Sequence, residues 1–185
     1  MLTLPNFLTL LRILAIPVVV VLLTREAYAP AFIVFMLAGV TDAVDGAIAR
    51  IMDSKSDLGA LLDPMADKLL MVSSFVVLAI NKAIPLWIVA LVISRDMIIV
   101  TGYAMMHLVY GEAMKIAPTR LGKANTFFEL FTIAFVVMHL ARPVLPLEQV
   151  TGVVICLTAL TSAASCVQYV YAGLLWQQRR GKDEG

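Results

Sequence analysis

The chain has 185 residues, 61% of them hydrophobic and 15% charged, with a formal net charge of +1. Soluble domains are about 45–50% apolar and about 25% charged, so this composition excludes an ordinary water-soluble domain, and a charge so near zero excludes a broad basic surface for nucleic acid. The length suits one domain, and a mean hydropathy of +0.93 makes that domain an integral membrane protein.

Apolar runs of about 20 residues mark spanning helices, and six are predicted, at roughly 7–24, 30–50, 59–80, 85–110, 122–141 and 148–175. The expected fold is therefore all-α with six transmembrane helices over residues 1–178, followed by a charged tail at 179–185. The first run opens on Asn6, Thr9 and Arg12. Ile13 to Leu23 followed by Ala27-Tyr28-Ala29 has the outline of a signal sequence, but Arg12 is the single positive side chain before it, and a retained first span is expected.

The second and third runs carry Asp42, Asp45, Asp63 and Asp67, joined by the polar turn Met52 to Ser56. A charge at the bilayer centre costs roughly 2.5–3.5 kcal/mol on insertion scales, so four in one hairpin need compensation, and a divalent cation supplies it. Asp42 and Asp45 are three apart and Asp63 and Asp67 four apart, so each pair shares a helix face. Asp45 and Asp63 are each nine residues from Ser54, and Asp42 and Asp67 are twelve and thirteen from it, which sets the pairs at matching heights. Asp53 and Asp57 fall in or beside the turn, where solvent can hold them.

Gly46 and Ala49 remove side-chain bulk among the acids, either to admit a ligand or to pack helices tightly. Arg50, one turn on, suits a phosphate or a snorkelling interfacial role. Lys68 follows Asp67 and can neutralise the cluster, while Arg95 and Asp96 in the fourth run can form an ion pair between helices. Lys115, Arg120 and Lys123 lie on or beside the fourth connection, as positive-inside bias would place them or as an anion pocket with Arg95 would need. Glu129 is an isolated acid expected to pair across helices, His107 and His139 read as packing residues, and Cys156 and Cys166 as small core residues.

Nine Lys and Arg residues fall at the N-terminus, the 50–57 turn, the 111–123 loop and the tail, against Arg25, Lys82 and Arg142 opposite. That asymmetry predicts both termini and the aspartate turn on the cytoplasmic side of the inner cell membrane. Oxygen ligands without a His/Cys cluster favour Mg²⁺, Mn²⁺ or Ca²⁺ over zinc. Two such ions on four carboxylates suit in-line displacement at phosphorus, and an edge carboxylate can take a hydroxyl proton. A cation transporter is the competing class, but the acids occur once and near one surface, without a repeat. A purely structural role leaves the Gly46–Arg50 spacing without an account.

The series Asp42-x₂-Asp45-Gly46-x₂-Ala49-Arg50-x₈-Gly59-x₃-Asp63-x₃-Asp67 resembles the signature of the CDP-alcohol phosphotransferases with every spacing intact. Pro5 to Arg12 (PNFLTLLR) resembles the family's N-terminal segment, and six spans fit its fold. The resemblance implies two divalent cations, Mg²⁺ or Mn²⁺, on Asp42, Asp45, Asp63 and Asp67, with Asp67 also the general base. It further implies CDP contacts along Gly46, Ala49, Arg50, Ser56 and Gly59, closed by Asn6, Thr9 and Arg12. The implied reaction is attack of an alcohol on the β-phosphate of CDP-diacylglycerol with release of CMP, in a homodimer. Ile93-Ser94-Arg95-Asp96 and Pro118-Thr119-x-x-Gly122-Lys123-x-Asn125-Thr126 resemble family members that form cardiolipin from phosphatidylglycerol. Members using glycerol 3-phosphate usually carry R-E-I-x-x-S-x-L-R in span four. Here Asp96 replaces the Glu, and Tyr103 stands where the second arginine would be. Phosphatidylglycerol is the expected acceptor and glycerol 3-phosphate the alternative, with Arg95, Lys115, Arg120 and Lys123 as the acceptor pocket.

Overall fold

The computed structural model describes the backbone of residues 4–52, 57–110, 119–142 and 148–183, and side chains mainly over 10–41, 64–102, 119–142 and 150–176. The described residues form six helices: α1 (Leu4–Thr24), α2 (Tyr28–Met52), α3 (Asp57–Ile80), α4 (Leu86–Tyr110), α5 (Arg120–Ala141) and α6 (Glu148–Asp183). Each covers one predicted apolar run. Most ends agree within three residues, but α6 continues through Gln177 to Asp183, past the expected end at 175.

Two of the short connections have a common cause. Glu26 and Lys82 both have φ of 57°, the left-handed conformation that usually falls to glycine. After α1, Glu26 N–H donates to Leu23 O and Ala27 N–H to Leu22 O; after α3, Lys82 N–H donates to Ala79 O and Ala83 N–H to Leu78 O. These paired bonds are Schellman caps, which satisfy the last carbonyls of each helix and turn the chain sharply. At the other end of the bundle Thr119 caps α5, its hydroxyl accepting from Gly122 N–H at 3.0 Å.

The helices alternate in direction. The buried apolar core takes the C-terminal halves of α1, α3 and α5 (Val19, Leu23, Phe75, Leu78, Val136) and the N-terminal halves of α2, α4 and α6 (Ala31, Phe35, Ile88, Val92, Ile155). All six helices thus bring their apolar ends to the half of the bundle that holds the 25–27 and 81–85 connections. α1 packs on α2 and α3, α5 on α2, α3 and α6, and α4 on α3 and α6. Asn81 Nδ2 donates to Leu23 O at 2.8 Å and ties the ends of α1 and α3 in parallel register.

Polarity is distributed inside out. Leu14, Ile33, Leu37, Val100, Leu108, Leu160 and Val167 are exposed, whereas Arg12, Arg95, Asn125, Glu129, Ser162 and Ser165 are buried. A soluble monomer rarely leaves so much contiguous apolar surface uncovered, and lipid is the medium that suits it. Among the described residues, Arg120–Ala141 and Val150–Trp176 are long and apolar enough to cross a membrane, and Leu10–Thr24 and Tyr28–Thr41 are shorter apolar helices. Cys156 is exposed and Cys166 half-buried, both as free thiols, which corrects the expectation that they fill the core.

Candidate active site

The aspartate series lies on two consecutive helices: Asp42 and Asp45 in the last turns of α2, and Asp63 and Asp67 in the first half of α3. Pro64 sits inside α3 directly after Asp63. It removes one backbone donor from the ladder and crowds the preceding turn, yet α3 runs on unbroken through both acids. The side chains of Asp42, Asp45 and Asp63 lie outside the described ones, as do those of Asn6, Thr9, Gly46, Ala49, Arg50 and Gly59; Ser56 and Lys115 lie outside the described residues altogether.

Asp67 is described, and it has a specific partner. Arg12 of α1 places Nη1 2.9 Å from Asp67 Oδ1. The arginine is 2% exposed, and the aspartate side chain keeps 38% of its surface. The parallel register fixed by Asn81 and Leu23 brings these two residues to one level. A buried guanidinium holds a carboxylate by charge, so Asp67 is anchored to α1 while part of its side-chain surface stays exposed. Four carboxylates at this spacing, the described one accessible, are a donor set suited to hard divalent cations.

Beyond Asp67 a second network crosses the bundle. Lys68 Nζ lies 2.7 Å from Asp96 Oδ2 in α4 and 3.5 Å from Glu129 Oε2 in α5. Asp96 accepts from Arg95 Nη1 through its other oxygen at 2.8 Å. Arg95 also donates to Ser165 Oγ in α6, through Nη2 at 2.7 Å and Nε at 3.3 Å, and its guanidinium lies over the Tyr169 ring, 5.7 Å from the centroid. Glu129 accepts from Asn125 Nδ2, and Asn125 Oδ1 in turn accepts from Ser162 Oγ at 2.8 Å and Thr161 Oγ1 at 3.1 Å. Two cations meet two anions, and the interior remains near neutrality.

The expected pairing of Arg95 with Asp96 exists, but within α4; Lys68 makes the interhelical link to both Asp96 and Glu129. Arg95 itself is buried and committed to Asp96 and Ser165, while Arg120 and Lys123 are exposed at the start of α5. Gly122 connects the two regions, since a Cβ there would come 3.0 Å from the Tyr169 hydroxyl oxygen. Ser165 and Tyr169 escaped the sequence reading. Their only signal was a polar residue repeating every three or four positions along an apolar helix, from Thr158 to Tyr169.

Comparison with known proteins matches residues 2–164 to the CDP-alcohol phosphatidyltransferase family. The chain is 32% identical over 185 residues to the "cardiolipin synthase (CMP-forming) / mitochondrial hydrolase fusion protein" of Schizosaccharomyces pombe, an alignment covering 89% of this chain and 31% of that one. It is 34% identical over 190 residues to the cardiolipin synthase (CMP-forming) of Homo sapiens, covering 92% of this chain and 62% of the relative. It therefore spans less than two thirds of the length of either protein. A third relative, the CDP-diacylglycerol–glycerol-3-phosphate 3-phosphatidyltransferase of Bacillus subtilis, is 31% identical over 154 residues, covering 75% of this chain and 78% of its own. A family match across residues 2–164 that takes in the whole aspartate series places the chain in the CDP-alcohol phosphatidyltransferase family.

Proposed function

We propose that the protein transfers a phosphatidyl group from CDP-diacylglycerol to a hydroxyl of phosphatidylglycerol, forming cardiolipin and releasing CMP. The observation that carries this reading is the aspartate series at full spacing on α2 and α3, with its last member anchored by buried Arg12 and partly exposed. Relatives bearing the cardiolipin synthase name align over most of the chain. The relative from Bacillus subtilis keeps glycerol 3-phosphate as the second reading.

In this reading Asp67 accepts the proton of the acceptor hydroxyl as its oxygen attacks the β-phosphorus of CDP-diacylglycerol. The bond from that phosphorus to the CMP oxygen breaks, and CMP leaves. Asp42, Asp45, Asp63 and Asp67 would hold two divalent cations, Mg²⁺ or Mn²⁺, which supply charge neutralisation at the phosphates when bound. Gly46, Ala49, Arg50, Ser56 and Gly59 line the nucleotide's path, with Asn6 and Thr9 at its edge. Arg12 orients the base. Arg95, Lys115, Arg120 and Lys123 belong to the acceptor side, where Arg95 acts through the Asp96–Ser165 framework.

The six helices span the inner cell membrane in this reading, with both termini, the 179–185 tail and the site on the cytoplasmic side, and the protein works as a homodimer. The acceptor is tested by offering phosphatidylglycerol and glycerol 3-phosphate separately with CDP-diacylglycerol and identifying the product lipid by mass spectrometry. Cardiolipin from the first and no phosphatidylglycerophosphate from the second is expected; the reverse pattern transfers the assignment to glycerol 3-phosphate.

A further inference from the structure

Consecutive residues of a helix point about 100° apart, so Asp67 and Lys68 leave α3 in different directions and meet different helices. Asp67 meets Arg12 of α1. Lys68 Nζ donates to Asp96 Oδ2 of α4 at 2.7 Å and lies 3.5 Å from Glu129 Oε2 of α5. The one turn of α3 that carries the proposed base is thus tied by charge to three other helices.

Apolar packing holds this turn less firmly. Met65 and Leu69 are exposed, and the buried side of the turn consists of Ala66 and Leu70. Ala66 offers a single methyl group as a grip against rotation of the helix. Pro64, just before, leaves the ladder one backbone bond short. The charged contacts of Asp67 and Lys68 therefore set how this turn is rotated about the helix axis.

The partners of Lys68 are themselves held. Asp96 accepts from Arg95 through its other oxygen, and Glu129 Oε1 accepts from Asn125. Glu129 Oε2 makes no hydrogen bond among the described residues, so the ammonium of Lys68 is the charge that meets it. We infer that Lys68 is a positioning residue for the transfer reaction, an inference that rests on the phosphatidyltransferase reading with Asp67 as its base. Its ammonium braces α3 against α4 and α5, so that Asp67 keeps its place toward the acceptor hydroxyl. A misplacement of about 1 Å at a reacting group can cost on the order of a hundredfold in rate, which is the scale on which such a brace acts.

The competing role for Lys68 is neutralisation alone, since Lys68 and Arg95 together offset Asp96 and Glu129. The two roles separate in variants of the full chain purified in detergent. Lys68→Met leaves an excess negative charge in the interior, and a lower midpoint of thermal unfolding is expected. Adding Glu129→Gln restores the charge balance and keeps an acceptor for Asn125, so the midpoint should recover, but the charged tie from α3 to α4 and α5 is gone. The double variant is compared with Glu129→Gln alone, which keeps the Lys68–Asp96 bond. Its kcat for CMP release is expected to be lower by on the order of tenfold to a hundredfold, with KM for CDP-diacylglycerol within about threefold. Amide hydrogen exchange over 65–70 should be faster by at least about tenfold in the double variant, while exchange over 75–80 stays the same. Recovery of kcat together with the midpoint, or unchanged exchange over 65–70, overturns the proposal. Lys68→Ala takes the place of Lys68→Met if that variant does not fold. Faster exchange over 65–70 in a protein whose unmodified form releases no CMP would leave the brace standing and remove the phosphatidyltransferase reading, so the two fail separately.

Discussion

Asp67 and Arg12 are the described ion pair of the candidate site, and they were legible to different degrees. The four acids stand out because carboxylates are costly among apolar runs and recur at helical spacing. Arg12 was visible as a polar residue at the head of α1, but its partner was not, since the pairing depends on how α1 and α3 align side by side. It was expected among nucleotide contacts, and it lies on Asp67. Asp67→Asn keeps the shape and the pairing geometry but removes the proposed base, so turnover measured as CMP release is expected to fall at least about a hundredfold, within the range for general-base loss. Turnover equal to the unmodified protein would sink the assignment. Arg12→Lys replaces the fork by a point charge. A loss in kcat on the order of tenfold to a hundredfold, with KM for CDP-diacylglycerol nearly unchanged, is expected if Arg12 orients the base. A raised KM with unchanged kcat would mark it as a nucleotide contact instead.

Helices were the most readable elements, because each apolar run of spanning length became one. What the apolar pattern reports is the part of a helix that suits lipid, and α6 shows the difference. Its last turns, through QQRRGKD, are polar and so lay outside the expected span, yet these residues continue the helix. The caps at Glu26 and Lys82 were hidden for the opposite reason, as no glycine marks them. A non-glycine residue in the left-handed region is disfavoured by roughly 1–2 kcal/mol, and glycine gives back part of that through unfolded-state entropy. Lys82→Gly is therefore expected to raise stability by about 0.5–1 kcal/mol, seen as a higher midpoint in thermal unfolding in detergent; a lower midpoint contradicts the cap. The network from Lys68 through Asp96 and Glu129 to Ser165 joins four helices. No single residue in it announced the assembly, because each partner is far away in sequence. Arg95→Met leaves Asp96 and Ser165 short of a donor in the interior and is expected to destabilise the fold by about 3 kcal/mol, the range for breaking a buried ion pair. A change within about 0.6 kcal/mol, the average for a hydrogen bond inside a membrane protein, would show the network to be loosely held.

The whole molecule is divided along its axis. One half of the bundle is closed by an apolar core drawn from all six helices, and the other carries acids, bases and hydroxyls. Composition made the membrane setting legible, and positive-residue asymmetry suggested which end faces the cytoplasm. The segregation itself required the helices to be packed, since it arises from the C-terminal halves of α1, α3 and α5 meeting the N-terminal halves of α2, α4 and α6. A bundle built in this way is apolar at one end and polar at the other, which suits the proposed chemistry between a lipid phosphate and a second lipid's headgroup. The most direct test follows both products at once. Purified protein in vesicles of phosphatidylglycerol, given CDP-diacylglycerol and Mg²⁺ or Mn²⁺, should release CMP and form cardiolipin one for one, and both should stop when the cation is chelated. CMP released without a matching lipid product, or no CMP with any glycerol-containing acceptor, would contradict phosphatidyl transfer by the aspartate site.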